Sequence, residues 1–174
     1  AVGRLENQKG FDMLIDCWKR VSEQHPDWHL DIYGVGSLHD KLQEQIDQLC
    51  LNDYITLCGR SNNIMDVYPE YSLHIMSSRY EGQPMTLIEA QACGLPSVVF
   101  NFKFGAADIV QNGVNGIIVE QDDRKAFSEA LCTMMSSEDM RKKYGQNALE
   151  VGKQYFKNNV FSKWIELLEF ISKA

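Results

Sequence analysis

Tyr80-Glu81-Gly82-Gln83-Pro84-Met85-Thr86-Leu87-Ile88-Glu89-Ala90-Gln91-Ala92-Cys93-Gly94 sets two carboxylates, Glu81 and Glu89, across a helix start. Pro84 suits the first helical turn and Gly94 the residue just past the last. The spacing therefore predicts a helix over residues 84–93, with Glu81 in the loop before it. Thr86, Glu89 and Cys93 share one face of that helix, while Met85, Ile88 and Ala92 share another, which turns Glu89 to the polar side. Gln83 is the expected N-cap and a poor one. The amides of Met85, Thr86 and Leu87 are then open to an anionic or hydroxyl-bearing ligand. Taken alone, the two acids equally describe a surface helix with solvated glutamates.

Outward from this stretch, strand and helix alternate. Apolar runs on either side, Leu73-His74-Ile75-Met76 and Ser97-Val98-Val99-Phe100, read as strands buried on both faces. Toward the amino end, the periodicity predicts a helix over 14–21 ended by Pro26, a strand over 28–33, a helix over 38–49, a strand over 54–58 and a short helix over 64–71. Toward the carboxyl end it predicts a short helix over 104–111, a strand over 116–120, and then helices over 124–135, 138–153 and 160–171. This order implies an α/β protein with an open, mostly parallel sheet and helices on both faces. Ligands of such sheets bind beyond the carboxyl ends of the strands, where Arg4, Gly34, Gly59, Ser77 and Asn101 are all expected. Ala1-Val2 reads as the end of a strand that should hold about five residues, so a fragment of a longer protein is expected. The last predicted helix is apolar on more than one face and is expected to be exposed or misdocked.

A chain of 174 residues accommodates one domain with its own core. A formal charge of −7 argues against a nucleic-acid partner, which demands a basic footprint. No apolar run approaches the roughly 18 residues needed to cross a bilayer, and no signal-peptide pattern opens the chain. Cys17, Cys50, Cys58, Cys93 and Cys132 are scattered without a CxxC pair and read as small buried hydrophobes in a reducing compartment. A cytoplasmic location is expected; membrane association would come through a segment outside these residues. His25, His29, His39 and His74 form no ligand-spaced cluster, so no structural metal is expected.

Tyr80-Glu81-Gly82, Pro84, Leu87-Ile88-Glu89-Ala90 and Ala92-Cys93-Gly94-Leu95-Pro96 resemble the group 1 glycosyltransferases, also called glycosyltransferase family 4, whose signature is a Glu, seven residues and a second Glu. The resemblance covers nearly the whole chain. It includes Gly3-Arg4-Leu5 with Lys9-Gly10-Phe11-Asp12, Tyr33-Gly34-Val35-Gly36, and Asn112-Gly113-Val114-Asn115-Gly116, all in family order. It implies a Rossmann-like carboxy-terminal half of a GT-B fold. Residues 1–174 would form the nucleotide-sugar (donor) binding domain of a two-domain enzyme, with the acceptor domain elsewhere.

The resemblance assigns Arg4 and Lys9 to the donor phosphates, and their place after the first strand suits that role. Arg grips phosphate oxygens bidentately and Lys supplies a compact cation, which together steady charge developing on a departing diphosphate. It assigns Glu89 to the ribose hydroxyls, a task for two acceptor oxygens. Glu81, with the amides of Gly82, Gln83, Met85 and Thr86, would address the sugar and nearby phosphate oxygens. Gly34-Val35-Gly36 borders the donor cleft in the family. As a dinucleotide fingerprint it is incomplete, because His39 stands where a third Gly belongs. Gly59 and Arg60 resemble the base-binding edge, with Arg60 either stacked on the base or in solvent. The resemblance also implies retention of anomeric configuration, with the leaving phosphate taking the acceptor's proton, a UDP-sugar donor, a glycan or lipid-linked acceptor, and no metal or other cofactor. Gln83 and Gln91 stand where the family often has Phe and Met at the sugar pocket's wall, and Asp108 stands where Glu is usual. A nucleotide-binding module without catalysis and a sugar-nucleotide epimerase of similar fold are the alternatives.

Overall fold

The protein is described by a computed structural model, which covers residues 1–172. In chain order the elements are α1 (Phe11–Gln24), β1 (Leu30–Tyr33), α2 (His39–Gln48), β2 (Ile55–Gly59), α3 (Ile64–Val67), β3 (His74–Met76), α4 (Met85–Ala92), β4 (Ser97–Phe100), α5 (Ala106–Ile109), β5 (Gly116–Val119), α6 (Arg124–Ser136), α7 (Glu138–Lys153) and α8 (Lys157–Ser172). Every strand pairing is parallel. The expected open sheet is present as two ladders, β1-β2 and β3-β4-β5. Val2 makes a single parallel bridge to Tyr33 on the free edge of β1. Among the described residues no strand pairing joins the two ladders.

The strands show why both faces are covered. Ile75, Val98 and Phe100 enter the larger core with Trp18 of α1 and Phe127 of α6, whereas Met76 and Val99 point the other way, toward Leu87 and Ile88 of α4. Alternation along a strand thus feeds two cores at once. Phe100 and Phe127 stack with ring centroids 4.1 Å apart and anchor α6 on the sheet.

Local chemistry moved several boundaries. The helix expected over 64–71 stops at Val67 and continues as a 3-10 turn, Tyr68–Glu70, because Pro69 has no amide for the α-helical ladder. The helix expected over 104–111 shortens to four residues. Asn115 explains this, since its amide donates to the carbonyl of Ile109 and its side-chain oxygen accepts from the amide of Gln111. The first helix begins three residues earlier than its periodicity shows, at Phe11, after Gly10 in a left-handed conformation with φ 64°. A side chain at Gly10 would lie 2.2 Å from the carbonyl oxygen of Ser77, so only Gly lets the start of α1 meet the end of β3.

Helix α8 carries exposed Val160, Phe161, Trp164, Ile165, Leu168 and Phe170, as its apolar pattern predicts. No helix of the described residues is long and apolar enough to cross a membrane. All five cysteines are free. Only Cys17 and Cys132 are buried, so the expectation of uniformly buried thiols is corrected for Cys50, Cys58 and Cys93.

Candidate functional site

The carboxyl ends of the strands bring the motif residues together. Gly34 follows β1, Gly59 closes β2, Ser77 follows β3 and Asn101 follows β4. Between the first two strand ends lies an open, mainly apolar cavity of 350 Å³, lined by Val2, Gly3, Arg4, Gly34, Arg60 and Ile64, among others. Gly34 is required for chain approach. A β-carbon there would sit 1.7 Å from the carbonyl oxygen of Gly3, and one at Gly36 would sit 2.4 Å from that of Leu5. Gly34 reaches the cavity wall, whereas the close contact at Gly36 is with protein backbone. Gly59 accepts the amide of Gly34 at 2.7 Å, which holds the two turns side by side.

Beside the cavity, Lys9 and Glu81 form an ion pair 2.6 Å long, with side chains only 14% and 5% exposed. Glu81 also accepts from the hydroxyl of buried Ser78 at 2.6 Å and from the amide of Gln8 at 3.4 Å. The same Gln8 amide donates to the carbonyl of Tyr80 at 3.0 Å, and its side-chain oxygen accepts from Arg4 at 3.3 Å. Arg4, Gln8, Lys9 and Glu81 therefore form one connected group. Its scaffold is the 3-10 turn Asn7–Lys9, which is clamped to the loop after β3. The Ser77 hydroxyl donates to the carbonyl of Lys9, the Arg79 amide to that of Gln8, and the Arg79 guanidinium to that of Asn7. Arg79 also binds Asp12 through two hydrogen bonds of 2.8 and 2.6 Å. Burial works against the charge of Asp12, but the guanidinium outweighs it and holds the carboxyl below its usual range.

The helix start differs from expectation. Pro84, not Gln83, is the N-cap of α4, because ψ of 76° takes it out of the helix. Of the three amides expected to be open, that of Met85 bonds to Gln83 at 2.9 Å and that of Leu87 to Pro84 at 3.0 Å. The amide of Thr86 remains for a ligand. The Thr86 hydroxyl is buried and has no hydrogen-bond partner. Gly82, Gln83 and Met85 are exposed around it.

Glu89 stands apart, with no hydrogen bond or ion pair to Lys9 or Glu81 among the described residues. It is half-buried and accepts from the hydroxyl of Tyr68 at 3.3 Å. Burial raises its pKa above the ordinary carboxylate value, and the Tyr68 hydrogen bond offsets part of that. Gln91, expected at the sugar pocket's wall, is instead fully buried. Its side chain bonds to Asn115, Leu95 and Ser97, a polar knot that ties the end of α4 to β4 and β5. A buried amide must find partners, and these lie on the core side of the helix.

Sequence reasoning missed Gln8, Ser78 and Tyr68. Ser78 lies three residues before Glu81 and could have been flagged as its local donor; nothing in the spacing joins Tyr68 to Glu89. No group of three His, Cys, Asp or Glu among the described residues could hold a metal ion. The arrangement offers an apolar cavity lined by Arg4, a second cation, Lys9, linked to Arg4 through Glu81 and Gln8, and, outside that lining, the open amide of Thr86 and the Glu89 carboxylate. Cations and an open amide suit an anionic group, a carboxylate suits hydroxyls, and the cavity suits an apolar surface.

Residues 1–151 match the model of the family described as "Glycosyl transferases group 1". The chain is 35% identical over 168 residues to the amylovoran biosynthesis glycosyltransferase AmsD of Erwinia amylovora, covering 97% of this chain and 47% of that one. It is 31% identical to the GtfA subunit of the UDP-N-acetylglucosamine–peptide N-acetylglucosaminyltransferase of Streptococcus gordonii, covering 97% of this chain and 34% of that one. Among solved structures, a TarM mutant of S. aureus in complex with fondaparinux, alpha-GlcNAc-glycerol and UDP superimposes with a TM-score of 0.90 at 25% identity, over 95% of this chain and 34% of that one. The chain thus spans less than half the length of each of these relatives.

Proposed function

Because the chain belongs to the group 1 glycosyltransferases and has the architecture of one half of a GT-B fold, we propose that it is the donor-binding half of a retaining transferase that takes a hexose from a UDP-sugar. The observation that carries this reading is the buried Lys9–Glu81 pair, joined through Gln8 to Arg4 and set beside the cavity at the carboxyl ends of parallel strands. The uracil occupies the cavity against Val2, Val35 and Arg60. Glu89 accepts from the ribose hydroxyls, the diphosphate lies between Arg4, Lys9 and the amide of Thr86, and Glu81 faces the sugar. Two relatives support a UDP-sugar, since one is named for a UDP-N-acetylglucosamine reaction and the structure of the other holds UDP.

In the reaction, the bond between the anomeric carbon and the phosphate oxygen breaks and a bond to the acceptor oxygen forms on the same face. The acceptor's proton passes to the departing phosphate. Arg4 and Lys9 act on the negative charge that grows on the diphosphate, and they do so best where water is excluded. Phosphate binding needs no metal in this reading, because the two cations supply the charge. A glycan or lipid-linked acceptor is held by residues outside this chain. A relative named as an exopolysaccharide phosphotransferase, 31% identical to this chain, favours a glycan acceptor.

Calorimetry with UDP, GDP, ADP and their sugars tests the donor assignment. UDP and one UDP-sugar should bind, and preference for a purine nucleotide would refute it. Incubation of the full-length enzyme with donor alone separates transfer from epimerisation, since only an epimerase would convert the sugar.

A further inference from the structure

Among the described residues, Glu89 has one hydrogen-bonding side chain beside it, that of Tyr68. The Tyr68 side chain is 3% exposed and belongs to a small core with Ala90 and Leu95, against which Val2 and Ile64 pack. Its ring meets His74 edge-on, with centroids 6.1 Å apart. The hydroxyl lies 3.2 Å from the carbonyl oxygen of Thr86 and 3.3 Å from Oε2 of Glu89. One O–H proton has two acceptors, and an ionised carboxylate is the stronger of them. Burial and the nearby Glu89 charge push the phenol's pKa upward, so Tyr68 stays a donor. Among the described residues, the Cys93 thiol is a further titratable neighbour that interacts with Glu89.

Val2 and Ile64 also line the 350 Å³ cavity. The core that holds the Tyr68 ring therefore backs the cavity wall, while its hydroxyl holds Glu89. We propose that Tyr68 is a positioning residue for the nucleoside: it fixes the Glu89 carboxylate relative to the Val2–Ile64 wall, so that base and ribose are bound at a set separation. The inference rests on the donor-binding reading. It concerns how the acid is held and which part of the ligand feels the loss.

A double-mutant cycle tests it, with calorimetry of UDP and 2′-deoxy-UDP on the unaltered protein, Tyr68→Phe, Glu89→Gln and the double variant. Tyr68→Phe should weaken UDP by about three- to tenfold, less than the full worth of a hydrogen bond to a charged group, because the hydroxyl is shared between two acceptors and acts on the ligand only through Glu89. It should also narrow the preference for UDP over 2′-deoxy-UDP, and have a clearly smaller effect where Glu89 is already Gln, whose amide oxygen is an uncharged and weaker acceptor for the hydroxyl. An equal loss in both backgrounds would mean general packing and would overturn the inference, as would unchanged UDP binding in Tyr68→Phe. If Tyr68→Phe does not fold, Tyr68→Met removes the same hydroxyl with an adaptable side chain and is read in the same cycle. Failure of the folded, unaltered protein to bind UDP would instead sink the donor-binding reading itself.

Discussion

Replacing Glu81 by Gln removes the negative partner of Lys9 while keeping the shape of the side chain. The pair is mostly out of water, with side-chain exposures of 14% and 5%. Removing one partner of a buried pair costs about 3–5 kcal/mol. Gln retains a carbonyl oxygen for Lys9 and Ser78, so the loss should lie near the lower end, about 3 kcal/mol. In a protein of this size each kcal/mol moves Tm by about 2–4 °C, which predicts a fall of about 6–12 °C. UDP should then do more for the variant than for the unaltered protein. Its diphosphate brings Lys9 the negative charge that Glu81 no longer supplies, and a ligand that binds the native state stabilises it by mass action. The thermal shift at one saturating UDP concentration should therefore be larger in Glu81→Gln, and calorimetric affinity for UDP should hold or rise while sugar transfer by the full-length enzyme falls. A variant melting within about 1 °C of the unaltered protein would show that the pair does not hold the loop. A smaller UDP-induced shift in the variant would refute the placement of Lys9 at the phosphates.

Glu89→Ala should cost about ten- to a hundredfold in affinity for UDP and UDP-sugar alike, measured by calorimetry, because charge-assisted bonds to the ribose are lost. The raised pKa of Glu89 has two consequences of opposite sign. Its ionised form is penalised in the native state, so Glu89 contributes stability below its unfolded pKa that is lost as pH rises through the folded one, and Glu89→Gln should be the more stable protein at neutral pH in denaturant melts. Binding of UDP-glucose needs the ionised form, so affinity should fall with pH through that raised value, and Glu89→Gln should lack this limb. UDP-glucose is the right probe because it lacks the terminal phosphate of UDP, which titrates near pH 6 or about that value. EDTA should leave UDP binding unchanged, whereas Lys9→Ala should weaken it; a strict manganese or magnesium requirement in calorimetry would count against charge supply by Arg4 and Lys9.

Local chemistry made the alternation of strands and helices legible. Runs such as Ser97-Val98-Val99-Phe100, three of whose four residues are apolar, are buried at every position because both faces of the sheet are covered, and Gly, Pro and polar clusters punctuate them. The same locality placed Gly34 and Gly59 at strand ends. It also put Glu81 before a helix and Glu89 within it. Errors came where distant groups intervene. Asn115 ended α5 from outside it, and Gln91 turned inward to meet Asn115 across 24 positions of chain. Only the tertiary structure decided that Lys9 and Glu81, 72 positions apart, form one buried pair, and that Tyr68 reaches Glu89 across 21. Periodicity reports which face of an element is apolar, a property of neighbours along the chain. Which polar groups meet depends on how whole elements stack, because a side chain without water takes whatever partner packing places within hydrogen-bonding reach.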